Sequence, residues 1–236
     1  MTAPLLTVDH LSFGFRDRPL YEDLSFTLPR GSMTSLIGAN GVGKTTLVRL
    51  LMGELQPTAG TITFTADMKL GYVPQFRNID SEFPLTIASF VQLNQLGHGF
   101  PWHTKREKAA LHQALTQTHL LERRTLAMGR ASGGEKQKAY LAQALLTQPN
   151  FLILDEATAS LDVNTKEELM GLVKELNETL GLTVLFVTHD LGLAKAYTDQ
   201  YLLLTPGHYE MRATAQMDIA TMPDELKSGE EEEAAH

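Results

Sequence analysis

The eight residues Gly38-Ala39-Asn40-Gly41-Val42-Gly43-Lys44-Thr45 constrain this chain more than any other segment, because they spell G-x-x-x-x-G-K-[ST]. The pattern places glycines where a backbone must turn tightly and bring its N–H groups up to phosphate oxygens. Lys44 is then expected to reach the β- and γ-phosphates, and the Thr45 hydroxyl to ligate Mg²⁺. The flanks agree. Met33–Ile37 reads as a short buried strand, and Thr46–Met52 as a helix whose N-terminus lends partial positive charge beneath an anion. A loop of this kind binds a nucleotide, and Gly38, Asn40, Gly41, Gly43, Lys44, Thr45 and Thr46 are its expected contacts.

Splitting a nucleoside triphosphate requires a second element. Phe151-Leu152-Ile153-Leu154-Asp155-Glu156 is an apolar run closed by two carboxylates. Such a run suits a strand buried on both faces of a parallel sheet. Asp155 would emerge at the carboxyl end, where open α/β sheets bind ligands, and would hold Mg²⁺ directly or through water. Glu156, one residue on, is placed to polarise an attacking water. An apolar strand followed by Asp-Glu is ordinarily structural; beside the Lys44 loop it reads as catalytic.

Four more segments complete a series. Gly71-Tyr72-Val73-Pro74-Gln75 ends a strand on a glutamine. Ser132-Gly133-Gly134-Glu135 opens a helical run to Leu146. Ala159-Ser160-Leu161-Asp162 follows the Asp155 strand, and Thr188-His189-Asp190 follows the apolar strand Thr183–Val187. In this order the set resembles the ATP-binding subunits of ABC transporters. The segments match that family's Walker A, Q-loop, signature, Walker B, D-loop and switch-histidine motifs, from about Leu6 to Leu204. The resemblance implies an α/β fold: a P-loop (RecA-like) parallel-sheet core, an antiparallel β edge layer and an inserted helical subdomain. The core would comprise residues 1–75 and 150–236, and the helical subdomain 76–149.

The same resemblance assigns roles. Glu156, His189 and Gln75 are the catalytic set, with His189 on the γ-phosphate and Gln75 touching Mg²⁺ or the attacking water. Thr45, Gln75 and Asp155 serve Mg²⁺. Ser132, Gly133, Gly134 and Glu135 would meet the γ-phosphate held by a second ATP-binding subunit. Phe15, eight residues before Asp23, is the expected adenine-stacking ring, with Phe13 the alternative. Two departures stand out: Ala131 where the family has leucine before the signature serine, and Glu135 where it has glutamine. The latter brings a carboxylate close to the opposite subunit's nucleotide.

Composition adds exclusions. No apolar run approaches 18 residues, so no membrane span is expected. Met1–Leu11 contains Asp9 and His10 and lacks a basic start, unlike a secretory signal. The absence of cysteine excludes disulfides and thiolate metal sites and fits a reducing cytosol. A net charge of −8, half of it in the tail Glu230–Glu233, disfavours nucleic acid as a partner. Of eight histidines only His189 sits in a motif; His98, His103, His112 and His119 read as solvated, the last two seven apart on helical sequence.

Residues Gly71–Phe90 further resemble the ATPase subunits of zinc and manganese importers, through Tyr72-Val73-Pro74-Gln75, Arg77–Asp80, Glu82–Ile87 and Phe90-Val91. That implies an ATP-driven divalent-metal importer. Its partners would be an integral-membrane permease, a second copy of this chain and, indirectly, an extracytoplasmic metal-binding protein. The subunit itself would lie peripherally on the cytoplasmic face of the membrane. An exporter, or an importer of another substrate, is the alternative within transport. A soluble non-transport ABC ATPase is the alternative outside it. Ribosome-acting members carry two ATPase units, whereas this chain shows one and no internal repeat. Chromosome-acting members need a long coiled coil, and only 56 residues separate Gln75 from Ser132.

Overall fold

In a computed structural model, which describes residues 3–15, 18–75, 83–93, 104–223 and 226, three fully buried strands form the centre. These are β3 (Met33–Gly38), β6 (Phe151–Asp155) and β7 (Thr183–Thr188). Side chains alternate between the faces of a strand, so a two-sided core needs apolar residues at every position. The strands deal them out in that way. Leu152, Leu154, Val184 and Phe186 join one core; Phe151, Ile153, Leu185 and Val187 join the other. Each such side chain, fully withdrawn from water, contributes about 1.5–3 kcal/mol.

The sheet is completed by β5 (Leu70–Val73), β8 (Gln200–Thr205) and β9 (His208–Ala213), in the order β5-β6-β7-β3-β8-β9. Every pairing is parallel except β8 with β9. A second, antiparallel sheet has the order β2-β1-β4, formed by β1 (Pro4–Phe15), β2 (Arg18–Pro29) and β4 (Ala59–Phe64). Its strands β1 and β2 run longer than their apolar cores Leu5–Val8 and Leu24–Leu28 indicate, because β1 pairs along both edges. Helix α1 (Lys44–Leu51) shares the core between the two sheets.

Helices cover the opposite face. They are α2 (Ile87–Val91), α3 (Lys105–Gln117), α4 (Gly133–Leu145) and α5 (Val163–Leu180), with Phe90, Leu115, Leu141 and Leu169 in one core cluster. The apolar pattern over Leu85–Leu96 predicts a helix there; α2 starts at Ile87, and Asn94–Leu96 lie outside the described residues. Thr86 caps α2, and at Gln92 and Leu93 the α-helix gives way to a tighter 3₁₀ turn. The glycines and proline of Gly97–Pro101 predict a break after this helix; that segment, along with Arg77–Asp80, Glu82, His98, His103 and the Glu230–Glu233 tail, lies outside the described residues. The sequence pattern predicts an amphipathic helix over Lys166–Leu180; α5 begins earlier, at Val163, because Asp162 accepts from the Thr165 N–H and caps it. Helix α6 (Leu191–Tyr197) and residues Met217, Met222 and Leu226 pack over Ile37 and Tyr201.

Strand register aligns the chemistry-bearing ends. Val73 pairs with Leu154, Asp155 with Val187, and Ile37 with Thr188. The carboxyl ends of β5, β6, β7 and β3 therefore finish side by side. Gln75, Glu156, His189 and the phosphate loop emerge there, the edge at which open α/β sheets bind ligands.

Candidate active site

Gly43 adopts φ 117°, and α1 starts directly after it at Lys44, two residues earlier than the sequence pattern indicates. A side chain here is excluded twice, by this left-handed backbone and by space, since a Cβ would lie 2.5 Å from the Tyr21 hydroxyl. Asn40, Gly41, Gly43, Lys44, Thr45 and Thr46 line a cavity of about 170 Å³ that Glu156 closes from across the sheet. A roomier cavity of about 420 Å³ lies among Lys108, Leu111, His112, Leu115 and Glu122, without any phosphate-binding loop. Chemistry, not size, selects the site.

Lys44 is only 5% exposed and donates to the carbonyls of Gly38 (2.7 Å) and Ala39 (3.2 Å). Its Nζ lies 3.9 Å from Glu156 Oε1. Burial lowers the Lys44 pKa, opposed by the charges of Glu156 and Asp155. Burial raises that of Asp155, against a hydrogen bond from Tyr72, with the Glu156 charge pushing up and Lys44 pulling down. The Tyr72 hydroxyl donates to Asp155 Oδ2 at 3.0 Å. The site thus holds a lysine and a carboxylate whose charged forms are both strained by burial. A polyanion with a divalent cation would relieve both.

Glu156 occupies the left-handed region at φ 49°, uncommon for a residue with a side chain, and its N–H is held by the Val187 carbonyl at 3.1 Å. This turn brings its carboxylate to Gln75, whose Nε2 donates to Oε2 at 2.9 Å. Gln75, Glu156 and Lys44 are therefore linked by contact, and Asp155, held by Tyr72, lies within Coulombic reach of Glu156 and Lys44. His189 follows β7, half-buried, between the ends of β6 and β3. Phe13 is 8% exposed within the antiparallel sheet, whereas Phe15 is 53% exposed and meets Phe13 edge-on at 5.1 Å. Of the two rings, Phe15 is the one available to a base.

The Ser132–Glu135 segment forms a reciprocal cap on α4. Ser132 Oγ accepts from the Glu135 N–H, and Glu135 Oε2 accepts from the Ser132 N–H at 2.9 Å. Residues 21–159, more than half of the chain, match the ABC transporter family.

The chain belongs to the ABC transporter family.

Zinc import ATP-binding protein ZnuC of Photorhabdus laumondii subsp. laumondii is 38% identical over 202 residues, covering 86% of this chain and 75% of that protein. The protein of the same name from Alcanivorax borkumensis is 38% identical over 206 residues, covering 86% and 76%. Among solved structures, a metal-chelate type ABC transporter in an inward-facing conformation is similar, with TM-score 0.83 and 26% identity over 97% of this chain and 89% of that one. The cbiO1 protein of Clostridium perfringens, part of the ABC transporter complex cbiONQ, is similar with TM-score 0.80 and 26% identity, over 90% of each chain. This ABC protein is accordingly an ATPase.

Within this ABC ATPase, Glu135, which the resemblance places near the opposite subunit's nucleotide, is engaged inside its own chain. Its carboxylate folds back on Ser132, and its other oxygen lies 3.5 Å from Arg123 Nε. The S-x-x-E spacing that signals such a cap was legible in Ser132–Glu135. Gly134 is required by contact: a Cβ there would meet Thr165 Cγ2 of α5 at 2.6 Å. His112 and His119 do not share a helical face, since α3 ends at Gln117 and His119 turns to φ 57°. Sequence reasoning passed over Tyr72 as a site residue. Only the parallel pairing of β5 with β6 brings its hydroxyl to Asp155.

Proposed function

We propose that this protein is the ATP-hydrolysing subunit of an ABC importer for divalent metal ions, zinc or manganese, acting beneath a separate membrane permease. The observation that carries the reading is the contact group Lys44–Glu156–Gln75 at the sheet's carboxyl edge, with Asp155, held by Tyr72, beside it. The substrate class rests on the similarity to zinc import ATP-binding proteins. Among the described residues, no helix is long and apolar enough to cross a membrane. A peripheral position on the cytoplasmic face, with an extracytoplasmic metal-binding protein engaged only through the permease, fits this reading.

In the proposed mechanism, phosphate oxygens take over the Lys44 ammonium from the Gly38 and Ala39 carbonyls. Loop N–H groups and the α1 N-terminus hold the same phosphates. Glu156 Oε1, released from Lys44, accepts the proton of the attacking water, while Gln75 steadies Oε2. His189 donates toward charge developing on the γ-phosphate. Phe15 stacks on adenine. Thr45 and Asp155 present hard oxygen donors of the kind Mg²⁺ takes, with Gln75 at the edge; bound there, it would offset phosphate charge.

The second half of the site comes from another copy of this chain. Gly133 and Gly134 lie in the first turn of α4, whose N–H groups have no acceptor within the helix, and beside the Ser132 hydroxyl they would suit a γ-phosphate. Arg123 offsets the Glu135 charge beside it. Glu156→Gln protein with Mg-ATP is therefore expected to run as a dimer in light scattering and as a monomer without nucleotide. A monomer at saturating Mg-ATP would count against the sandwich.

Elemental analysis of a gene-deletion strain tests the substrate. Cellular zinc or manganese should fall and growth under chelation should slow, with rescue by the missing ion. No group of three or more acidic or histidine side chains suited to a metal occurs among the described residues. None of His98, His103, His112 and His119 lies in an ATPase motif, and their joint replacement should leave transport largely intact. Elevated metal in the deletion strain would indicate export, and unchanged zinc, manganese and iron would remove the metal assignment.

A further inference from the structure

Tyr21 lies in β2, in the antiparallel sheet, and is 6% exposed. Its hydroxyl crosses the layer and donates to the Gly43 carbonyl at 2.5 Å. That carbonyl also accepts the first hydrogen bond of α1, from the Leu47 N–H at 2.9 Å. The peptide joining Gly43 to Lys44 is planar and trans, so its C=O and N–H point in opposite directions. Anchoring the carbonyl from below fixes the Lys44 N–H on the opposite side, where helix N-terminal donors lack partners within the helix. Gly43 needs such an anchor. A glycine at φ 117° has no side chain to restrict it and an unusually large choice of backbone conformations.

We propose that Tyr21 is a positioning residue for nucleotide binding, its hydroxyl pinning the Gly43 carbonyl so that the phosphate loop keeps its donors aimed at the anion. This rests on the reading of Gly38–Thr45 as the ATP site. The tether also links the two ends of the nucleotide. Tyr21 pairs with Phe13 across β1 and β2, and Phe13 supports the exposed ring of Phe15 edge-on. One connected path thus joins the base platform to the phosphate loop and sets their separation. Burial holds the phenol well above the ordinary tyrosine range, so it remains an O–H donor at working pH.

Tyr21→Phe removes the donor and keeps the ring. Gly43 O retains Leu47, so the fold should persist. A neutral hydrogen bond is worth about 0.5–1.5 kcal/mol, which corresponds to roughly a twofold to twelvefold rise in Kd. That rise is expected by calorimetry for both Mg-ATP and Mg-tripolyphosphate, with KM moving more than kcat. Lys44→Ala in the same assay reports on the site itself, and the Tm of the nucleotide-free protein is measured alongside. Unchanged Kd with a lowered Tm would make Tyr21 merely structural and overturn the proposal. Weakening for ATP but not for tripolyphosphate would overturn it too, since the effect would then lie at the base. Should Lys44→Ala bind as tightly as the parent, the reading of the loop fails as well; should Lys44→Ala lose binding while Tyr21→Phe does not, only the tether fails.

Discussion

Glu156→Gln is expected to bind Mg-ATP as tightly as the parent and to turn it over roughly 10²-fold more slowly or worse. The amide keeps the size and hydrogen-bonding reach of the carboxylate but cannot take a proton from water. Glu156 is held for that task by a left-handed backbone, by Val187 through its N–H, and by the Gln75 amide on one oxygen. The glutamine variant retains all three supports in some form, so a fall in kcat reports on proton transfer more than on architecture. Steady-state ATPase assays beside equilibrium nucleotide binding decide it. Parental turnover by Glu156→Gln would remove Glu156 from the mechanism.

Lys44→Ala is expected to abolish tight ATP binding. A hydrogen bond to a charged group contributes about 1.5–3 kcal/mol, so losing two raises Kd by about 10²-fold or more. The ammonium is almost wholly buried and already desolvated, with burial lowering its pKa before any phosphate arrives. Phosphate charge favours the ammonium form, so binding should resist a moderate rise in pH that the nucleotide-free lysine feels more. Truncation also strips the Gly38 and Ala39 carbonyls of their donor. Melting of the nucleotide-free variant should therefore accompany the binding isotherm. Parental affinity in a folded Lys44→Ala protein would contradict the assignment of the loop.

Local chemistry made much of this legible. The phosphate loop, the run Phe151–Asp155 and the cap at Ser132–Glu135 are contiguous patterns, and their geometry follows from backbone sterics, two-sided burial and short-range hydrogen bonds. Element ends were less so. Lys44 begins α1 because Gly43 turns left-handed, and His119 leaves the helical path that its spacing from His112 implies. Both outcomes depend on φ values that one-dimensional periodicity does not carry.

By itself, the sequence determined which reactive groups this protein owns and that they end strands or open helices, because those placements depend on neighbours a few residues away. Only the tertiary structure decided which groups meet. Gln75 reaches Glu156 over a sequence separation of 81, and Tyr72 reaches Asp155 over one of 83, because β5 and β6 pair in parallel at one register. Tyr21 reaches Gly43, and Phe15 instead of Phe13 faces solvent, because the antiparallel sheet packs over α1 on one face and leaves the end of β1 uncovered. Strand order and sheet packing minimise exposed apolar surface over the whole molecule. No short stretch of residues encodes that sum.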